Sequence, residues 1–446
     1  MATASNSRCN SFSVQNDAWS KEICFFPMSK LEHYEFEKRI SCYLIGKRIG
    51  QGLFAAIHEG LHIVTGEKVA IKVLDKQKLR NDFYANRHLY REAKILRYIS
   101  HPRVVQLLET FETDNNYYLT MELICNTSLA DILEENGKLS EDRTKKYIKQ
   151  IIEATDYLHA QDIIHRDLKL ENILVDEDDS IKIIDFGLST FTKTRREKAN
   201  VFFIRKLCQS QCGSPAYTAP ELLAIDEYGP KADIWSIGVD MFAMLTASLP
   251  FTTQSADIKE LHQKIMSFQI NPVPDSLSED AIDLMFKFLS VDPRERISLS
   301  NARKHKWLSN SCNNNLQHLD MLNDSVTLPK DIEKQIIRAM HKKLGLSQES
   351  ITRAIKLKIP SYASATFKLT LAKIQRYHTK LYRSITNDLS EFHIASSKKL
   401  IQTHSDNKMK ASDESLPSSK IEPNKKGIIN RHKRPSKKDT HHPTSS

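Results

Sequence analysis

Apolar and polar positions change period several times along the chain. Between Lys145 and Leu158, the residues Ile148, Ile151, Ile152, Thr155 and Leu158 recur at helical spacing, which predicts an amphipathic helix. Beyond it, Ile173 to Val175 and Ile181 to Ile184 read as two short strands around the acidic turn Asp176 to Ser180. Nearer the amino terminus, strand-like runs flank a glycine-containing stretch at Ile49 to Ile57, and Val69 to Lys72 alternates. Tyr90 to Leu96 presents a helical face of Leu89, Ala93 and Leu96, and Tyr117 to Cys125 reads as a buried strand entering a connector. Ile234 to Leu249 is the longest apolar run, but Asp240 interrupts it and it is too short to cross a bilayer, so no membrane span is expected. Near the carboxyl terminus, Asp331 to Lys343 carries Ile332, Ile336, Ile337 and Met340 on one face and stops near Gly345. Ser347 can cap a second helix with Ile351 and Ile355, ended by Pro360, and Phe367, Leu371 and Ile374 mark a third.

Composition narrows the setting. The net charge is +10 over 446 residues, yet Lys398 to Ser446 alone holds twelve Lys or Arg against five Asp or Glu. The remainder is nearly balanced, which argues against a specific nucleic-acid-binding core. Apolar periodicity disappears from Ser396 onward, so 396–446 reads as a basic disordered tail. Within it, Lys425-Lys426 and Arg431 to Lys438 are a candidate nuclear import signal, beside the plainer reading of a solvated charge run. Seven scattered cysteines without metal spacing, and an amino terminus lacking a charged start before an apolar stretch, lead us to expect a reducing compartment, the cytoplasm, without secretion.

One octapeptide concentrates the chemistry. His165-Arg166-Asp167-Leu168-Lys169-Leu170-Glu171-Asn172 lies between the predicted helix and hairpin, and Asp185-Phe186-Gly187 follows the second strand. Either motif alone is usually a turn. In this order they supply a carboxylate, Asp167, to receive an acceptor hydroxyl, and two oxygen donors, Asn172 and Asp185, for magnesium on nucleotide phosphates. Ile49-Gly50-Gln51-Gly52-Leu53-Phe54-Ala55-Ala56-Ile57 has the pattern of a loop whose backbone N–H groups close over phosphates. Ala55 stands at the third glycine position, which predicts a slightly stiffer loop. Lys72 is placed to meet the α and β phosphates of ATP, with Glu92 as its expected partner and a solvated helix charge as the bland alternative. The kinase pattern that these motifs resemble implies backbone groups from Glu122 to Ile124 at adenine and Met121 behind it, a core methionine being the ordinary reading of Met121.

Cys212-Gly213-Ser214-Pro215-Ala216-Tyr217-Thr218-Ala219-Pro220-Glu221 resembles the substrate-seating segment of eukaryotic protein kinases. That resemblance covers Tyr43 to about Leu308. It implies an α+β bilobal fold with a small β-rich lobe and a larger helical lobe, ATP and Mg2+ as cofactors, and protein substrates. It further implies that Glu221 pairs with Arg296, that Asp233 braces the catalytic loop, and that Lys169 contacts the transferred phosphate as in the serine/threonine branch. Ser214 would contact Lys169 and Asp167. Val64 to Lys72, Cys212 to Tyr217 and Tyr228 to Val239 look similar to the AMP-activated-protein-kinase-related group, and the three carboxyl-terminal helices resemble the ubiquitin-associated-type domain that follows the kinase there. The plainer alternative is a helical tail on the large lobe. The expected plan is a disordered extension at 1–42, a kinase domain at 43–308, a linker at 309–327, the helical module at 328–376 and the tail.

Three departures bear on activity. Thr127-Ser128 replaces a Gly-Glu pair common in the group, removing an acidic side chain near the ribose and substrate. Ser210 stands where relatives carry an activating threonine, so an upstream activating kinase is expected to act on Ser210 and create a phosphate for Arg166. The segment Leu188 to Gln211 is long, basic and centred on Val201-Phe202-Phe203-Ile204, which reads as an exposed insert. The rival to an enzyme is a catalytically weak kinase-fold scaffold that acts by binding.

Overall fold

The strand-forming sequence between Lys38 and Glu122 builds a six-stranded antiparallel sheet. Its strands are β1 (Lys38–Ile40), β2 (Tyr43–Gln51), β3 (Ala55–His62), β4 (Glu67–Asp75), β5 (Leu107–Glu112) and β6 (Asn116–Glu122), in the order β1-β2-β3-β4-β6-β5. The computed structural model describes residues 34–52, 55–80, 90–124, 127–192, 215–223, 229–253, 258–309 and 331–377. Expectations for the chain before residue 34, the linker beyond Ser309 and the basic tail lie outside the described residues, whereas Lys38–Ile40, within the extension expected to be disordered, is a strand because it pairs with β2. The chain divides into two units, Met1–Lys380 and Leu381–Ser446, and every described residue belongs to the first.

The two-residue period of β4 decides what each sheet face does. Val69 and Ile71 are wholly buried on one face, whereas Ala70 and Lys72 on the other line a cleft. α1 (Arg91–Tyr98) buries Glu92, Ala93, Ile95 and Leu96. In the larger lobe, α2 (Leu129–Asn136) starts with a reciprocal cap, in which Asp131 N donates to Ser128 Oγ and Ser128 N donates to Asp131 Oδ2. α3 (Glu141–Ala160), capped by Ser140, sinks Ile148, Ile151, Ile152 and Leu158 into the core at the spacing read from the sequence. Short pairs follow: β7 (Ile163–Ile164) with β10 (Thr190–Phe191), and β8 (Ile173–Val175) with β9 (Ile181–Ile183).

The apolar run at Ile234 becomes α4 (Lys231–Thr246), buried from Ala232 to Leu245. A helix that is apolar all round belongs at the centre of a lobe. Gly238 is required there: a Cβ would fall 2.7 Å from Phe288 Cβ and 2.9 Å from Leu289 Cδ2, so a side chain would push away α5 (Glu279–Phe288).

Beyond the linker, α6 (Ile332–Leu344) ends at Gly345, whose φ of 68° suits a residue without Cβ. α7 (Gln348–Lys356) is capped by Ser347, and α8 covers 362–377. Ile332, Ile336, Met340, Ile351, Phe367 and Ile374 form a core of their own. The alternative of a tail packed on the large lobe is not what is found. Ala365 and Leu369 of α8 join Tyr43, Ile45, Val69, Ile71, Leu108 and Tyr118 in a second cluster, so α8 covers the outer face of the small-lobe sheet. Lys368 Nζ donates to Leu107 O at 2.9 Å, and Arg376 pairs with Glu67 across the same seam.

Asp240 sits in the middle of α4, fully buried, and neither carboxylate oxygen has a hydrogen-bond partner among the described residues. Burial, reinforced by Glu171, pushes its carboxyl well above the ordinary aspartate range. The folded chain therefore keeps this proton while the unfolded chain releases it above the ordinary value of 3.8, so stability falls as pH rises. Asp240→Asn is expected to equal the parent chain near pH 4 and to exceed it by about 1–3 kcal/mol at pH 8, read from urea unfolding at both pH values. An unchanged pH dependence in the variant would refute this account.

Candidate active site

Between the two lobes opens a cleft of about 850 Å³. Its apolar walls include Ile49, Ile57, Ala70, Val105, Met121 and Leu174, and its inner end carries Lys72, Glu92, Asn172 and Asp185. The β2–β3 hairpin forms one rim and is closed by Gly52 N donating to Ala55 O at 2.8 Å. Ala55 opens β3, so its methyl is accommodated at the strand start. Gly50, Gln51, Ala56 and Ile57 follow as paired strand residues, with Gly50 opposite Ile57 and Gln51 opposite Ala56. Leu53 and Phe54 lie outside the described residues.

Lys72 Nζ lies 2.7 Å from Glu92 Oε2 and 3.0 Å from Asp185 Oδ1. Burial alone would depress the Lys72 ammonium, but Asp185 and Glu92 outweigh it and hold it above the ordinary lysine range. The same cation pulls the Asp185 carboxyl down to about 2. Asp185 has a φ of 60° and its Oδ1 also accepts from Gly187 N at 3.3 Å, which fixes the carboxylate toward the cleft.

The octapeptide is held by one carboxylate. Asp233, in the first turn of α4, accepts from His165 N at 3.0 Å and Arg166 N at 2.9 Å, and His159 Nε2 reaches it at 2.8 Å. Burial opposes the charge on Asp233, yet His159 and the backbone donors keep it below the ordinary aspartate range. Arg166 is thereby held at a φ of 71°. His165 Nε2 donates to Ile184 O at 3.1 Å, and Ile184 N donates to Asn172 O at 2.9 Å, tying loop to hairpin. Asn172 Nδ2 donates to Asp167 Oδ2 at 2.8 Å, and Lys169 Nζ stands 3.1 Å from the same oxygen. Burial lifts the Asp167 carboxyl above the ordinary range, with Lys169 pulling the other way.

Of the backbone groups expected to meet adenine, Glu122 N already donates to Gln106 O at 3.1 Å. The Glu122 side chain is held by Lys182 at 2.7 Å and Gln106 N at 2.8 Å, a tether the sequence reading missed. Ile124 lines the cleft beside it. The reading also missed the mouth: Asp131, one turn past Ser128, lines the cleft with Glu134, Glu135 and Glu171, so the Thr127-Ser128 change leaves carboxylates nearby. The S-x-x-D spacing of a helix start was the signal for Asp131. Ser210, Ser214 and the insert from Lys193 to Gln211 lie outside the described residues.

At the substrate end, Arg296 is wholly buried and grips Glu221 with two bonds, Nη1 to Oε1 at 2.9 Å and Nη2 to Oε2 at 3.0 Å. It also donates to the carbonyls of Ser290 and Lys231 and lies over the Trp235 ring.

A small sheet-built lobe, a helical lobe and a Lys–Glu–Asp cluster facing a second Asp define a protein kinase. Residues 43–308 match the protein kinase domain, and the chain belongs to that family. It is 40% identical over 366 residues to the human hormonally up-regulated neu tumor-associated kinase, across 81% of this chain and 49% of that protein. A Xenopus laevis homolog A of that kinase is 40% identical over 358 residues, across 80% of this chain and 50% of the relative. The SNF1-related protein kinase catalytic subunit alpha KIN12 of Arabidopsis thaliana is 37% identical over 329 residues, across 74% of this chain and 63% of its own length. The chain thus spans about half the length of the hormonally up-regulated relatives it matches. These likenesses agree with the AMP-activated-protein-kinase-related resemblance. In sequence, the stretches Ala243 to Phe251 and Asp185 to Ser189 look most similar to the hormonally up-regulated kinase, in agreement with these identities.

Arg296→Met would leave the Glu221 carboxylate buried without its cation, at an expected cost of about 3–5 kcal/mol in urea unfolding. Glu221→Gln keeps a hydrogen-bonding group against the guanidinium and should cost less, about 1–3 kcal/mol. Two equal and small losses would mean that the pair is not what secures this segment.

Proposed function

We propose that the chain is a serine/threonine protein kinase of broad protein-substrate class that transfers the γ-phosphate of ATP to a hydroxyl. The observation that carries this is the convergence of Lys72, Glu92, Asp185 and Asn172 in one cleft, with Asp167 bonded to Asn172 beside it. Lys72, oriented by Glu92, pairs with the nucleotide phosphates. Asp167, held by Asn172, orients the acceptor hydroxyl and receives its proton, while Lys169 balances charge on the group in transfer. Asn172 and Asp185 offer oxygen donors suited to a hard cation, and no cluster of three or more metal-ligating side chains occurs among the described residues. That sparse set fits Mg2+, which takes most of its ligands from phosphate and water. Magnesium would neutralise phosphate charge.

Serine or threonine preference rests on Lys169 beside Asp167, and the acidic cleft mouth favours basic residues near the acceptor. Ser210 is proposed as the site of an upstream kinase, its phosphate paired with Arg166. Phosphate mapping of active enzyme with Ser210 unmodified would defeat that part. Cytoplasmic residence, with the Arg431 to Lys438 cluster as an import signal, completes the reading.

Purified chain should transfer labelled phosphate to serine and threonine peptides and not to tyrosine peptides. Asp167→Asn is expected to lower kcat by about 10²–10⁴-fold with nucleotide affinity retained. Because the Asp167 carboxyl is raised, the acid-side loss of kcat/KM should fall above 3.8, with activity disappearing as pH drops through it. Equal transfer by both proteins would favour the scaffold reading.

A further inference from the structure

We propose that the seam between α1 and the carboxyl-terminal module is a binding site for a small aromatic carboxylate. A cavity of about 190 Å³ lies there, walled by Leu96 and Ile99 of the α1 end, Leu107 of β5, and Ile355 and Phe367 of the module. Three cations, Arg97, Lys358 and Lys368, line it, and no acidic side chain does. An apolar chamber with a cationic rim is complementary to a ligand with a hydrophobic body and an anionic head. Size favours a single ring, since a cavity of about 150 Å³ in another protein holds benzene.

Lys368 supplies the second line of argument. Its Nζ donates to Leu107 O at 2.9 Å. Burial depresses its ammonium below the ordinary lysine range; Glu122 opposes this in part, and Lys358 adds to it. A carboxylate in the chamber would complete this cation and relieve its repulsion with Lys358. Three carboxylates of the small lobe are engaged elsewhere: Glu109 accepts from Tyr43, Glu67 pairs with Arg376, and Glu122 with Lys182.

The chamber also touches the catalytic machinery. Leu96 lies one turn beyond Glu92 on α1, so a ligand against Leu96 selects the helix position in which the Lys72–Glu92 pair is formed. Occupancy should therefore tighten nucleotide binding two- to threefold, and nucleotide should tighten the ligand equally. This coupling rests on the kinase reading; the binding does not.

The test is calorimetric titration of the full chain with phenylacetate. The expected result is saturable binding with Kd on the order of 0.1–1 mM, the range open to about ten non-hydrogen atoms. Lys358→Glu, which sets a carboxylate of the chain itself beside Lys368, should weaken it at least about fivefold, and Ile355→Trp should fill the chamber and abolish it. Phenethylamine, with the same ring and the opposite charge, should not bind. No saturable binding, equal binding of phenethylamine, or undiminished binding by both variants overturns the site. Phenylacetate binding with unchanged affinity for a fluorescent nucleotide overturns the coupling.

Discussion

The Asp233 carboxylate is the interaction on which the geometry of the large lobe turns. It accepts two consecutive backbone N–H groups, from His165 and Arg166, at 3.0 and 2.9 Å. Two adjacent amides can point the same way only if the chain takes an unusual conformation between them, and Arg166 accordingly has a φ of 71°. A left-handed non-glycine residue costs on the order of 1–3 kcal/mol and persists only where its surroundings over-determine it. Here they do: the helix N-terminus favours the negative charge, and His159 adds a third donor. From this anchor the His165 ring reaches Ile184 O and packs edge-on against Phe186 with centroids 4.8 Å apart. The positions of Asp167 and Asp185 are thus two consequences of one buried charge.

A second constraint comes from the two faces of the sheet. Because side chains alternate along β4, the strand that presents Lys72 to the cleft must present Val69 and Ile71 behind it. In an isolated small lobe that outer face would be exposed apolar surface. α8 covers it, with Ala365 and Leu369 against Val69, Ile71 and Tyr118. The module is therefore joined to the same strand that carries the cleft-lining Lys72, one residue away in sequence and one sheet thickness away in space.

Much of this was legible in the residues, and the exceptions have physical reasons. The motifs from Lys72 to Glu221 could be read because their spacing is set by chemistry. The module helices could be read because Ile332, Ile336, Met340, Ile351 and Phe367 are ordinary apolar stripes. The docking of α8 was not legible, since its second buried stripe includes Thr366 and Thr370. Both hydroxyls turn back to their own helix, donating to Tyr362 O at 2.8 Å and Thr366 O at 2.7 Å, and Thr366 Oγ1 also meets His62 Nε2 at 3.5 Å, so these polar positions are satisfied within the buried seam. Asp131 was hidden for the opposite reason: as a capping residue it reads as local structure, and only its place in space puts it at the cleft mouth.

α4 shows why an interrupted apolar run need not be an interrupted core. It holds Asp233 at its start and stacks Trp235 under Arg296, while Ser236 Oγ donates to Tyr217 O at 3.2 Å. Gly238 lets α5 approach closely. Each contact leaves in a different direction, so every side of the helix is occupied, and the helix cannot rotate to bring Asp240 toward solvent. The uncharged form of Asp240 is the consequence, accepted because the other contacts fix the helix. A helix pinned on all sides transmits displacement as a rigid body. The His165–Asn172 loop held by Asp233 and the segment holding Tyr217 and Glu221 are thus kept in one frame.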